Sequence, residues 1–290
     1  MSPATPTGAP PFGRILTAMV TPMTADGALD LAGAAALAEF LVSRQHDGLV
    51  VFGTTGEAPT LTDDEKVQLL TTVRDAVGDR ARIVAGAGSN DTAHSVELAK
   101  RCADAGAHGI LAVTPYYNLP TPAGIEAHFT AIADATDLPV LLYDIPHRSG
   151  RPITVESLIT LADHPRIVGV KDAKCDLWAM TKVLDATGLH WYCGADEFNL
   201  PMLALGATGI VSVVGHVAST EYAGMLAAVD RGDLATARSI HRRLIPVTEA
   251  IMNTSQGAIM AKAAMAELGV IDSAAVRLPL VESPTEHLDK

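Results

Sequence analysis

The sequence predicts an α/β protein, a (β/α)8 TIM barrel with a C-terminal helical appendage, and three observations carry that prediction. From Arg14 onward, eight short apolar runs alternate with amphipathic segments of helical period. The residues with chemical potential cluster just after those runs, at the end of the strands where a parallel barrel carries its active site. No Gly-x-Gly-x-x-Gly follows the first run, which disfavours a doubly wound sheet, the structural alternative.

Taken in order, residues 15–20 are the first expected strand and 31–42 an Ala/Leu-rich helix. The strand at 48–52 precedes a helix from about Thr62, whose hydroxyl forms a capping-box pattern with Glu65 three residues on. Further strands are expected at 82–85, 109–113, 139–143, 167–171, 190–192 and 209–213. Helical patterns lie between them at 91–105, 121–135, 154–163, 176–187 and 197–205. Beyond Asp230 the strands stop, and helices at about 233–253 and 256–268 form the appendage. The domain reading is therefore a barrel over 12–231 and a helical region over 232–290. Residues 1–11, rich in Pro, Ala and Thr with no basic start or apolar centre, read as a disordered lead-in and not a signal peptide.

Composition narrows the function classes. With 290 residues, 48% of them apolar, the chain can bury a sizeable core. Its apolar stretches are all interrupted by glycine, proline or charge, which argues against a membrane partner. A net charge of -12 without any basic block argues against nucleic acid, and an anionic substrate would need local positive charge against that field. Cys102, Cys175 and Cys193 are widely spaced with no Cys-x-x-Cys pair. That suits a reducing cytoplasm and not a disulfide or zinc framework.

The sixth run, Ile167-Val168-Gly169-Val170-Lys171-Asp172, ends in a lysine. Strand alternation puts Ile167, Gly169 and Lys171 on one face. A strand-terminal lysine taken alone usually snorkels into water. Apolar walls would strip its hydration and favour the neutral amine, which can form a Schiff base with a ketone. The other strand ends supply suitable neighbours. After the second comes Gly53-Thr54-Thr55-Gly56-Glu57, a turn able to cradle a small carboxylate. After the fourth comes Thr114-Pro115-Tyr116-Tyr117-Asn118, and after the fifth Tyr143-Asp144-Ile145-Pro146-His147-Arg148-Ser149-Gly150. The seventh ends in Gly194-Ala195-Asp196-Glu197 and the eighth in Ser212. Each motif alone is an ordinary turn, core pair or solvated loop. Together they suit imine chemistry on an acidic substrate.

That chemistry sets a parts list. Lys171 attacks the carbonyl of a 2-oxo acid and water leaves. The protonated imine then acts as electron sink while the adjacent carbon loses a proton. Tyr143, one strand earlier, is the natural proton carrier, with Thr54 and Tyr117 as its relay. The Thr54-Thr55 backbone and hydroxyls can hold the carboxylate. Because the imine replaces a metal, no cofactor is expected. The ten histidines show no His-x-His or His-x-x-x-His spacing.

The motifs GTTGE at 53–57, TPYYN at 114–118, YDIPHRSG at 143–150 and GVKDA at 169–173 resemble the dihydrodipicolinate synthase/N-acetylneuraminate lyase family of class I aldolases. The likeness runs from about Leu16 into the C-terminal helices. It implies that Lys171 forms a pyruvate imine, that Tyr143 donates and accepts the proton, and that Thr54 links Tyr143 to Tyr117. Thr55 would bind the pyruvate carboxylate, and Gly194 belongs to the implied substrate-binding set. The main-chain carbonyl near Val211 would lie beside the lysine. Arg148 would bind the carboxylate of L-aspartate 4-semialdehyde, giving 4-hydroxy-tetrahydrodipicolinate, a step of lysine and diaminopimelate biosynthesis. In the family the second tyrosine reaches into a neighbouring subunit, which implies a homotetramer built as a dimer of dimers.

Three departures concern the second substrate. Asp144 stands where asparagine is common, Ser149 where threonine is common, and Ala195 where a second acid is frequent. Lys66 and His94 stand where many members use, respectively, a histidine and a glutamate to bind inhibitory lysine, so an added cation and a lost carboxylate imply weak or absent feedback. The rival substrates are N-acetylneuraminate or a 2-keto-3-deoxy sugar acid, neutral polyols at the end where Arg148 would sit. A non-catalytic binding protein on the same scaffold is the rival of another class. Retention of the lysine, both tyrosines and the threonine opposes it.

Overall fold

Every apolar run expected to form a strand does so. The computed structural model describes residues 8–288, and residues 1–7 of the expected lead-in lie outside that range. The strands are β1 Ile15–Ala18, β2 Gly48–Val51, β3 Arg82–Gly86, β4 Gly109–Val113, β5 Val140–Asp144, β6 Ile167–Asp172, β7 His190–Cys193 and β8 Gly209–Ser212. Among the described residues these eight order as a closed barrel in chain sequence, and the pairs recorded are parallel. Their residues are nearly all buried, as expected of strands covered on both faces.

Helices follow the strands: α1 Leu31–Ser43, α2 Asp63–Val77, α3 Thr92–Asp104, α4 Pro122–Asp134, α5 Pro146–Ser149, α6 Val155–Leu161, α7 Leu177–Ala186, α8 Asn199–Ala204 and α9 Gly215–Asp230. Asp30, Thr62, Asp91, Thr121, Thr154 and Asp176 cap α1, α2, α3, α4, α6 and α7, each side chain accepting from a first-turn N–H. The capping box between Thr62 and Glu65 is present in full. Among the described residues no helix is long and apolar enough to cross a membrane.

The helix expected at 233–253 is divided. It forms α10 Leu234–Arg243, then α11 Ile245–Thr248, and widens into a π turn at Glu249–Asn253. Pro246 has no N–H to continue the ladder, so the chain restarts there. α12 Gly257–Glu267 matches the last expected helix within two residues, and α13 Thr285–Leu288 is a short terminal turn.

The chain divides into two compact units, one of Ile15–Ile83 with the chain from Val211 onward, the other of Val84–Ile210 with the segment up to Arg14. In the first, a buried charge network fixes the Gly53–Glu57 turn. Glu57 has φ +57°, a left-handed conformation costing a non-glycine residue roughly 1 kcal/mol. Its carboxylate pairs with the Lys262 ammonium of α12, and the two side chains are 1% and 0% exposed. Lys262 Nζ also donates to the Ala275 carbonyl at 2.8 Å, and the Arg277 N–H donates to Glu57 Oε2 at 3.0 Å. The Arg277 guanidinium binds Glu65 at 2.9 and 2.5 Å and donates to the carbonyls of Thr60 and Gly27. Burial pulls the Lys262 ammonium down while Glu57 holds it up. Replacing Lys262 by Met should therefore leave a buried carboxylate without its cation and cost about 3–5 kcal/mol. The double change Glu57→Gln/Lys262→Met should recover most of that loss, read as urea midpoints.

Buried histidines predict a second response. His46 Nδ1–H donates to the Leu41 carbonyl at 2.6 Å, leaving Nε2 to accept from Thr17 Oγ1 at 2.6 Å. His216 Nδ1–H donates to the Val213 carbonyl and Nε2 accepts the Val20 N–H. Burial lowers His46 and His216 to about 4, and His128 in the other unit likewise. The unfolded chain protonates first as pH falls, so stability is complete above about pH 6.5 and lost toward pH 4. Each histidine contributes a slope of about 1.4 kcal/mol per pH unit in that window. Unfolding at pH 5 should take up roughly two protons net, about three at these histidines less about one released by the buried Asp144 carboxyl, which burial raises to about 6, measured by calorimetry in buffers of different ionisation enthalpy. No uptake there would contradict the neutral assignment.

Candidate active site

Strands β5 and β6 set the central pair. Val140 lies opposite Ile167, but an irregularity follows, so that Leu141 pairs with Gly169 and Tyr143 with Lys171. Lys171 and Tyr143 are each 4% exposed, and Lys171 Nζ stands 4.1 Å from the centroid of the Tyr143 ring. That is cation–π distance for an ammonium over the ring face. Thr114 anchors the strand end, its N–H and hydroxyl donating to the Tyr143 carbonyl at 3.0 and 3.1 Å.

Two glycines make room for the lysine strand. A Cβ at Gly169 would fall 2.3 Å from the His190 carbonyl oxygen, which would break the approach of β7. A Cβ at Gly194 would fall 3.0 Å from both Cγ and Cε of Lys171, so Gly194 leaves the space its stem occupies. The Gly194 N–H donates to the Asp172 carbonyl at 2.7 Å.

Arg148 sits on α5, just beyond β5, with its side chain exposed. Ser149 ties that turn down by donating to the carbonyls of Ile145 and Arg151, and Gly150 closes it at φ +75°. Tyr117 is not brought to the Lys171–Tyr143 pair within its own unit. Its side chain is 88% exposed, its φ is +73°, and Leu119 beside it is also left-handed and exposed.

In the other unit, Thr54 and Thr55 occupy the turn after β2. The N–H groups of Gly56 and Ala58 donate to Gly53, and that of Glu57 to Thr54. Among the described residues the N–H groups of Thr54 and Thr55 donate to no protein acceptor, which leaves them for an anion. Thr21 Oγ1 donates to the Gly56 carbonyl at 2.7 Å and steadies the turn. Val211 lies buried on β8, and Ser212 Oγ accepts the Gly215 N–H at the start of α9. Lys66 is buried on α2 and paired with Asp63 at 3.1 Å, while His94 on α3 reaches Ser89 Oγ.

Three contributors escaped the sequence reading. Glu57 stood inside a quoted motif without a role. Lys262 is a single cation in the apolar run Ala258–Met265, a pattern that signals a buried, partnered charge. Lys174 pairs with Asp144 at 3.1 Å, and only its closeness to Lys171 in the chain hinted at it.

A model of the dihydrodipicolinate synthetase family matches residues 11–290. The 4-hydroxy-tetrahydrodipicolinate synthase of Kineococcus radiotolerans is 58% identical over 278 residues, 96% of this chain and 90% of that protein. The enzyme of the same name from Mycolicibacterium paratuberculosis is 56% identical, covering 96% and 92%. A dihydrodipicolinate synthase from Cyanidioschyzon merolae, solved with lysine bound, superposes with a TM-score of 0.93 at 40% identity, covering 96% and 95%. One from Bacillus anthracis gives 0.92 at 39%, covering 95% and 94%. With a family model spanning the barrel and the C-terminal helices, and the lysine, tyrosine and glycine-threonine turn at their strand ends, the chain belongs to the dihydrodipicolinate synthetase family.

Proposed function

We propose that this chain condenses pyruvate with L-aspartate 4-semialdehyde to give 4-hydroxy-tetrahydrodipicolinate, the product its relatives' names describe. The observation that carries the reading is the buried Lys171 amine over the Tyr143 ring. In this reaction Lys171 Nζ attacks C2 of pyruvate, and water leaves to form the imine. The methyl carbon loses a proton to give the enamine. The enamine carbon bonds to the aldehyde carbon, and the aldehyde oxygen takes up a proton to become the 4-hydroxyl. The substrate's own amine then attacks the imine carbon and displaces Lys171.

Tyr143 carries the protons, with Thr54 and the partner subunit's Tyr117 as its relay. Thr55 holds the pyruvate carboxylate, with Gly194 and the Val211 carbonyl completing the surroundings of the lysine. Arg148 binds the carboxylate of the semialdehyde, for which a guanidinium fork is the matched partner. A homotetramer is supported by the exposed, left-handed Tyr117–Leu119 tip, an apolar feature that a second copy would cover. A cytoplasmic setting is supported by three cysteines that are all free.

Borohydride reduction with pyruvate should add a reduced pyruvyl mass to Lys171, located by peptide mass spectrometry. Lys171→Ala should abolish it. A wild-type chain that turns over neither pyruvate with the semialdehyde nor any sugar-acid aldol substrate, and traps no pyruvate, would support the binding-protein alternative. Lysine feedback should be weak, because an imidazole at His94 replaces a carboxylate and Lys66, paired with Asp63, adds a cation. Initial rates in millimolar lysine should stay within about twofold of the uninhibited rate.

A further inference from the structure

Strand β5 ends at Asp144, the chain runs outward through Arg148 and Gly150, and it returns at Ile153. Both polar backbone atoms of the fully buried Ile153 are held there. Its N–H donates to Asp144 Oδ1 at 3.2 Å, and its carbonyl accepts from Lys174 Nζ at 3.2 Å. The ammonium in turn stands 3.1 Å from Asp144 Oδ2, so carboxylate, ammonium and peptide group form a closed ring of contacts. Lys174 is itself fixed to β6. Its N–H and that of Cys175 donate to Asp172 Oδ1 at 2.7 and 3.1 Å, and the other oxygen of Asp172 accepts from Trp191 Nε1 at 3.2 Å. The Ala173 N–H donates to the Asp144 carbonyl at 2.9 Å.

The two carboxylates each follow one member of the Tyr143–Lys171 pair and point to the opposite face of the sheet. The cluster thus joins the strand of the proton carrier, the strand of the nucleophile and the far end of the Arg148 excursion. We infer that the Asp144–Lys174 ion pair is a positioning device for Arg148, setting how the Pro146–Ser149 turn presents its guanidinium and hence the affinity for the second substrate, not the first. This rests on the role given to Arg148 above.

Electrostatics agree with the geometry. Burial pushes the Asp144 carboxyl up to about 6, with Lys174 opposing the rise and Asp172 adding to it. Asp172 is raised too, chiefly by burial, and burial likewise pushes up Cys175 and Cys193, with the carboxylates of Glu197 and Asp196 respectively adding to the rise. Lys174 is therefore the cation that keeps a buried carboxylate usable as an anchor at neutral pH.

The test compares full-length wild type with Lys174→Met, Lys174→Arg, Asp144→Asn, Arg148→Ala and the Lys174→Met/Arg148→Ala double variant. Steady-state KM for each substrate is measured alongside the pyruvate concentration that half-saturates borohydride trapping. Lys174→Met should raise the semialdehyde KM about tenfold while half-saturation by pyruvate stays within about twofold. Lys174→Arg should restore most of the affinity, and the double variant should be no worse than Arg148→Ala alone. Asp144→Asn keeps an acceptor for Ile153 but lacks the charge. It should raise the same KM and remove the extra rise that wild type shows as pH falls through about 6. Equal loss for both substrates, an unchanged semialdehyde KM, or additive effects in the double variant would overturn the inference while leaving the pyruvate imine standing. If Lys174→Met does not fold, Lys174→Arg and Asp144→Asn decide it by the same readouts. Failure of the wild type to trap pyruvate would remove the reading of function itself, and this inference with it.

Discussion

One unpartnered residue in β6 decides which side chains meet. Val140 pairs with Ile167 and Leu141 with Gly169, so Val168 has no partner of its own on β5. Continued without that irregularity, the ladder would set Tyr143 opposite Val170 and would bring Lys171 level with Asp144. Because strand side chains alternate with a period of two, a one-residue slip turns each of them to the other face. With the extra residue in place, phenol and amine share one level of the ladder and the two carboxylates share the next. The amine and the phenol are thereby placed on one face of these two strands and the two carboxylates on the other.

The sorted carboxylates do not stay idle. Burying an ion pair costs desolvation that the Coulomb attraction offsets only with good geometry and further hydrogen bonds, so such pairs are weak arguments for stability and better ones for specificity of shape. In this chain both buried pairs sit beside a turn that follows a strand end. Asp144–Lys174 closes the excursion after β5, and Glu57–Lys262 holds the turn after β2 against α12 and the irregular segment from Ala275 to Arg277. Loops that carry function need their backbone set by something other than propensity. Side-chain anchors to peptide groups supply that here, at Ile153 in one unit and at Arg277 in the other.

Much of this was legible in the residues because the signals are local. Alternating apolar runs placed every strand within two residues at each end, and Thr62 with Glu65 announced the start of α2 by chemistry confined to one turn. The candidate site was legible for the same reason, since its motifs lie directly after strands. What was not legible depends on partners distant in sequence. Val168 is an ordinary β-branched residue, and nothing in it marks a register change that only the pairing with β5 defines. Lys262 finds Glu57 across 205 positions. The break at Pro246 is a different case: its missing N–H was readable, and helical periodicity on both sides outweighed it.

The Asp144–Lys174 pair also bears on how an acidic chain handles acidic substrates. A net charge of -12 repels anions at long range, so the few cations at the strand ends must act on the substrate and not be diluted among competing sites. Lys174, three residues from Lys171, is held by Asp144 and by the Ile153 carbonyl, and so is not offered to a substrate carboxylate. An ammonium left loose there would give the carboxylate an alternative seat on the wrong face of β6. With that charge neutralised, the exposed guanidinium of Arg148 is the cation that the excursion after β5 presents outward. In the proposed reaction, then, the pair acts twice: it sets the turn that carries Arg148, and it removes a rival to it.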